Sequence, residues 1–572
     1  MKFNNNSENA GCAVCQNQVD LRAKAYSRCD MVEGTPCLPC TQFTQLEAKI
    51  AEMIANLEKM LGERRQIQTE INQTHDPILR RLPREIASLI FNFAIIPNIW
   101  STELRIKPSK SEMMAPLYLG AVCKAWRELA WATPRLWTSV YAYVEGQDNF
   151  TGLSTINESK LDIFLQWISR TGQLPLSVQL RGTAPYHDSD DEPEYDEDEM
   201  EEMLENNLGP FIDVLNNYSG RLQNLALFCP VSLLQLFTGN SRGTPLLRCL
   251  FLKPWSFDYD PLDEALFSIA ARQPQPQVIS IDNLRLISVD IDWSNLTDLL
   301  AKSFSVQECL EVLKHAPRLK HCDFRVVDLD PTDHTLHPPV QHTTIESLSV
   351  GAVDDNYIVL IFDKLTLPAL RSLAITLESQ WTKIPCDDLA SFLERSSCIL
   401  KSFHIDNGRY DTAKLILLLQ SLPSVEELVL HSLLNEDQDH RRVLSRLVHT
   451  SFILGDDDIG SQQQQLLPNM RSFSYFIPRD HEIPWDLIPD IFGPLPGQSR
   501  PLSVFRILTD WHRTRMGSMD EAVIKRLMDI QAAGVTLLLP WEDIGREDLI
   551  NPLHKKLLSS TWGSSKFDFG EW

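Results

Sequence analysis

The template apolar-x-x-apolar-x-apolar recurs along most of this chain, and it restricts how that part can fold. Copies stand at Leu222-Leu225-Leu227, Leu247-Leu250-Leu252, Leu284-Ile287-Val289, Leu319-Cys322-Phe324 and Ile345-Leu348-Val350. It returns at Leu370-Leu373-Ile375, Leu400-Phe403-Ile405, Val425-Leu428-Leu430 and Met470-Phe473-Tyr475. In five of these nine copies a proline stands two residues before the first apolar position: Pro245, Pro317, Pro368, Pro423 and Pro468. Starting positions are separated by 25, 37, 35, 26, 25, 30, 25 and 45 residues. The recurring step near 25 predicts one supersecondary unit per copy, and the longer steps predict insertions. The apolar-x-apolar end predicts a short strand with alternating faces, and the leucine before it turns into the core.

The segment ahead of each template often reads as a helix, for example over residues 306–316 and 413–422, and the proline closes it. One such coil cannot bury its apolar face alone, so the coils are expected to stack. An opening unit is expected with a helix over 161–170 and a strand over 176–180, and a closing unit over 521–539. Twelve Asp or Glu residues fall between Asp188 and Glu205. Their repulsion predicts a disordered loop over 187–205 inserted in the array. Gln462 to Gln465 mark a second insertion.

The first 140 residues follow a different pattern. Residues 41–74 contain no proline and one glycine, Gly62. Leu46, Met53, Met60 and Ile67 form one heptad column; Ile50, Leu57 and Ile71 form the other, with Arg64 interrupting it. This sustained seam predicts a long helix that meets another helix. Three readings fit: pairing with a second copy of the chain, a brace within it, or a solvated lead-in helix. His75-Asp76-Pro77 ends the helix, because a proline disfavours helical geometry in the residue before it. Upstream, Cys12-x-x-Cys15 and Cys37-x-x-Cys40 are two thiolate pairs of the kind that close a tetrahedral zinc site. A metal there would offset the small core; the other reading of residues 1–40 is a disordered tail.

Two short apolar segments follow. Pro83 is expected in the first turn of a helix, where its missing N–H costs nothing. After it Ile86, Leu89, Ile90 and Phe93 recur at helical spacing, and Leu119, Val122, Cys123, Trp126 and Ala130 do the same in the second segment. Two short helices bury only part of such broad faces against each other, and the remainder asks for a partner. The order Leu82-Pro83, Glu85-Ile86, Ile90-Phe91, then Val122-Cys123-Lys124, Trp126, Leu129-Ala130 and Leu136-Trp137 resembles the F-box. That module docks a protein onto the Skp-type adaptor of a cullin-RING ubiquitin ligase. The match covers about a tenth of the chain. It departs from the family in the loop of about twenty residues near 97–116, as some basidiomycete-type F-box proteins do. The coils beyond it are similar to the divergent leucine-rich repeats that follow the F-box in many fungal proteins, with the regular Asn position largely missing.

The resemblance implies an α+β chain of several units. These are a Cys-containing segment over 1–40, a long helix or coiled coil over 41–75 and a small all-α F-box over 76–140. An α/β leucine-rich-repeat solenoid over 141–545 and a tail over 546–572 complete it. Leu82, Pro83, Ile86, Ile90, Phe91, Val122, Cys123 and Trp126 would contact the adaptor, and the repeats an unidentified protein substrate. The other reading is a scaffold whose helical hairpin caps the coils. The net charge of −24 argues against nucleic acid as the main partner, since phosphate binding needs a concentrated basic face. No apolar run approaches the twenty residues of a membrane span, and the polar N-terminus lacks a signal-peptide apolar region. The scattered cysteines fit reduced thiols in the cytoplasm or nucleus. No enzyme motif is present, so the chain is expected to be a binding subunit with no cofactor other than that zinc.

Overall fold

The computed structural model describes residues 38–76, 78–94, 114–145, 154–183, 197–255, 265–270, 272–327, 338–379, 381–433, 437–448, 466–477, 481–493, 500–509 and 520–539. The fold is mixed α/β with a long N-terminal helix and one large parallel sheet. The chain divides into two compact units, residues 1–95 with 114–133, and residues 96–113 with 134–572.

The first unit is helical. α1 spans Leu38–His75, about 57 Å at 1.5 Å per residue. α2 follows at Arg84–Ala94, α3 at Ala115–Val122 and α4 at Lys124–Trp131. Pro83 lies one position earlier than its sequence suggests: it precedes α2, and its carbonyl accepts the Ala87 N–H at 3.0 Å. The second apolar segment, which reads as one helix, breaks at Cys123. That residue is fully extended, and its Sγ accepts the Trp126 N–H at 3.4 Å, so it acts as the N-cap of α4. Gly120 permits the tight approach of the two halves, because a Cβ there would stand 2.2 Å from the Trp131 ring.

The second unit begins at Pro134, so Leu136 and Trp137 count with the sheet. Trp137 is buried, with Trp167 edge-on at 4.8 Å and the Arg170 guanidinium 4.5 Å above its ring. Among the described residues fourteen strands form one sheet in strict sequence order. They start at Ser139, Leu176, Leu222, Cys249, Val278, Asp298, His321, Ser347, Ser372, Ser402, Glu427, Ser472, Val504 and Thr536. Every pairing is parallel, and the register carries one column of side chains from coil to coil. From Val178 it passes through Leu225, Leu250, Ile279, Leu299, Cys322, Leu348, Leu373, Phe403, Leu428, Phe473 and Phe505 to Leu537. All are buried. Parallel strands of this kind need cover on their apolar face, and helices such as Val306–His315, Cys386–Ser396 and Thr412–Gln420 supply buried leucines and a phenylalanine to it.

The repeat template placed most strands and misplaced one. Ile287 is 64 % exposed, and Val289 pairs in a separate two-stranded ribbon with Phe267. The sheet instead runs through Val278–Asp282 and Asp298–Lys302. Pro276 and Ala301 stand in two of the slots where the template expects a larger apolar residue, which is why these coils escape it. Leu502-Phe505-Ile507 fits the template and forms a further strand, Val504–Thr509. Half of the acidic run is helical rather than a disordered loop: Glu197 to Glu205 open the helix Glu197–Tyr218. Asp188 to Asp196 and Gln462 to Gln465 lie outside the described residues.

One helix start is measurable. Ser305 and Glu308 form a reciprocal capping box on Val306–His315, and Glu308 Oε1 also accepts the Leu286 N–H at 2.6 Å. Ser305→Ala should therefore cost about 1 kcal/mol, read as a lowered urea midpoint for the sheet unit. An unchanged midpoint would mean the cap is not felt.

Candidate functional site

The helical unit leaves much of its apolar surface uncovered. α2 is apolar on two faces. Ala87 and Phe91 are buried, whereas Ile86, Ile90 and Phe93 stand 44 %, 37 % and 83 % exposed. Residues at i, i+4 and i+7 lie along one side of a helix, so these three form one stripe, with Leu89 beside it and also exposed. Val122, at the end of α3, is exposed too, and Pro83 is exposed at the start of α2. Leu82 is half-buried in the preceding turn.

Two residues expected on this surface also serve the internal framework, Phe91 buried and Trp126 half-buried. The Phe91 side chain is 1 % exposed. Its ring lies 4.8 Å from that of Trp126, and Trp126 Nε1 donates to Asp76 Oδ2 at 3.0 Å. The same carboxylate accepts the N–H groups of Ile78 and Leu79 through Oδ1, at 2.9 and 3.0 Å. Asp76 thus organises the turn after α1 and fixes α4 to it. Sequence reasoning missed this role, although an Asp-Pro ahead of a turn is a known signal for such side-chain to backbone bonding. The structure packs Phe91 against Trp126 and joins Cys123 to Trp126 through the cap bond; it leaves Ile86, Ile90 and Val122 at the surface.

Of the proposed zinc ligands, Cys12, Cys15 and Cys37 lie outside the described residues. Cys40 lies in the first turn of α1, and its side chain is outside them too. Among the described residues no group of three or more His, Cys, Asp or Glu side chains has metal-binding spacing. No helix among them is long and apolar enough to cross a membrane.

The sheet offers a second surface, the face turned away from the column at Leu225. Near its start this face is covered: Ala226, Phe228 and Phe251 are buried in a second core cluster, with Cys249 and Val278 packed against it. Charge follows. Asp282 receives Lys253 Nζ at 2.7 Å and Lys302 Nζ at 3.6 Å, and Arg325 pairs with Asp323 at 2.9 Å. Later coils bring polar groups into line. Ser402 Oγ lies 2.9 Å from Glu427 Oε2 and 2.8 Å from His404 Nε2. His431 Nε2 lies 2.9 Å from Ser474 Oγ, with Asp406 at 3.9 Å from its other ring nitrogen. Burial lowers the His431 pKa, and His404 and Arg506 add to that while Asp406 opposes it, so the ring is neutral at pH 7. Burial also holds the thiols protonated, Cys249 with a pKa pushed up to about 11 and Cys229 to about 12. A thiol of that kind is a poor nucleophile. The face can hydrogen-bond and pair charges over a long span.

A charge ladder borders it. Lys320 meets Glu346 at 3.7 Å, and Glu426 lies between Lys401 (2.5 Å) and Arg471 (3.5 Å). These side chains stand on the residues whose backbone N–H and C=O join each coil to the next. Exposed pairs of this sort contribute little, because solvent screens them, so they serve register more than stability. Compared with protein-family models and with curated proteins, the chain matches none.

Proposed function

We propose that this protein is a substrate-receptor subunit of a cullin-RING ubiquitin ligase. The helical unit is read as an F-box that seats Ile86, Ile90 and Val122 in a groove of a Skp-type adaptor, as helix-in-groove recognition does. The parallel coils are read as a leucine-rich-repeat solenoid whose open face holds a target protein. Transfer of ubiquitin belongs to the recruited enzymes. The observation that carries this reading is the uncovered stripe on α2, Ile86, Ile90 and Phe93: a small unit with a buried Phe91 core and a second, exposed apolar face is built to be covered. The later coils of the sheet's open face carry polar groups and charges of both signs, which supports a protein rather than a nucleic acid as cargo, in keeping with the net charge of −24.

Co-purification of the full chain with a purified Skp-type adaptor tests it. The wild type should form a stable complex, and Ile86→Asp with Ile90→Asp should weaken it at least about a hundredfold, because each change puts a charge into the desolvated centre of the contact. Both residues are exposed in the free chain, so the variant should keep its far-ultraviolet circular dichroism. A wild-type chain that binds no adaptor, or a variant that binds undiminished, overturns the docking assignment.

A further inference from the structure

α1 carries a seam that the described residues leave uncovered. Leu46, Met53, Leu57, Met60, Ile67 and Ile71 are between 49 % and 62 % exposed, and their spacing persists for nearly four heptads. We propose that α1 pairs antiparallel with α1 of a second copy of this chain, as a two-stranded coiled coil. This inference does not depend on adaptor docking.

The residues beside the seam choose the orientation. With Ile50, Leu57, Arg64 and Ile71 as a positions and Leu46, Met53, Met60 and Ile67 as d positions, Lys49, Asn56, Glu63 and Glu70 fall at g. Glu47, Ile54, Leu61 and Gln68 fall at e. A parallel pair would place Arg64 directly against the partner's Arg64, and would set Lys49 beside the partner's Ile54. Neither contact is favourable, and flanking charges decide orientation in such helices. An antiparallel pair in which Leu57 faces the partner's Met60 aligns every layer. Ile50 then meets the partner's Ile67, and Leu46 meets the partner's Ile71. Arg64 lies over the partner's Met53, where its stem can pack and its head reach water. On one flank Lys49 comes opposite the partner's Glu70. On the other, Ile54 comes opposite the partner's Leu61 and widens the apolar strip. Two-fold symmetry repeats each contact. The outer column Ala48, Ala55, Gly62 and Thr69 stays in water, and Gly62 has nothing within 4 Å of where a Cβ would stand.

Sedimentation of the full chain at micromolar concentration reads the outcome. The wild type should be a dimer. Leu57→Glu should make it a monomer with the sheet unit still folded by circular dichroism. Lys49→Glu alone and Glu70→Lys alone should each weaken association about tenfold or more, since each turns two attractions into repulsions. The two together should restore it to within about threefold of wild type. In a parallel pair the same positions are about 31 Å apart along the seam at 1.5 Å per residue, and no restoration would follow. A monomeric wild type overturns the proposal, as does a double variant no tighter than the singles.

Discussion

Arg500→Ala should lower the stability of the sheet unit by about 3–5 kcal/mol, the range for stripping a buried hydrogen-bonding hub. Arg500 is 2 % exposed. Its guanidinium donates to the carbonyls of Leu447, at the end of a helix, of Ile491 at 3.3 Å and of Leu466 at 2.5 Å. Three separate backbone segments therefore end on one side chain. Burial lowers the Arg500 pKa to about 10, which still leaves it protonated at neutral pH. Truncation would leave these carbonyls without their donor in a place water does not reach, and would open a cavity beside them. Arg500→Lys should recover only part of the loss, because one ammonium cannot span the fork of the guanidinium. Urea unfolding, with hydrogen exchange to localise the change to the last coils, gives the answer. A loss under about 1 kcal/mol would mean the carbonyls find other partners.

Trp126→Ala should destabilise the helical unit by about 2–4 kcal/mol, and this has a consequence for any docking experiment. The ring packs on Phe91, and its N–H donates to the Asp76 carboxylate. Removing it opens the α2–α4 contact and unlocks the turn after α1. Adaptor binding lost in Trp126→Ala would thus report unfolding rather than a missing anchor. Trp126→Phe separates the two effects, since it keeps an aromatic ring against Phe91 and removes only the hydrogen bond, a cost of about 1–2 kcal/mol. Hydrogen exchange over α2 and α4 should rise in the alanine variant and much less in the phenylalanine one. If Trp126→Ala leaves exchange unchanged yet abolishes adaptor binding, Trp126 is a contact residue and the framework role fails.

The part of the fold most legible in the sequence was the part with a period. Leu225 and Leu250, and again Leu348, Leu373 and Phe403, occupy identical register positions in neighbouring strands, and alternation at a strand end has only one way to meet a core. The template failed where a coil departs from it: at Pro276, where a proline fills an apolar slot, and at Ala301, where an alanine does. On α2 the sequence marked an apolar helix and could not sort its faces. Ile86, Ile90 and Phe91 are equally apolar, and only packing against Trp126 separates the buried one from the exposed ones.

From its sequence alone this protein was bound to be a long helix, a short apolar hairpin and an array of strand-bearing coils, because hydrophobic periodicity at 3.5, 3.6 and about 25 residues is a local property of the chain. Tertiary structure alone decided that fourteen strands among the described residues join in one parallel sheet, that Cys123 ends one helix and caps the next, and that Asp76, fifty residues from Trp126, holds it in place. It also decided that Arg500 gathers three carbonyls. Those outcomes depend on contacts between residues far apart in sequence, where the polar partner is chosen by what burial leaves unsatisfied, and no local pattern records that choice.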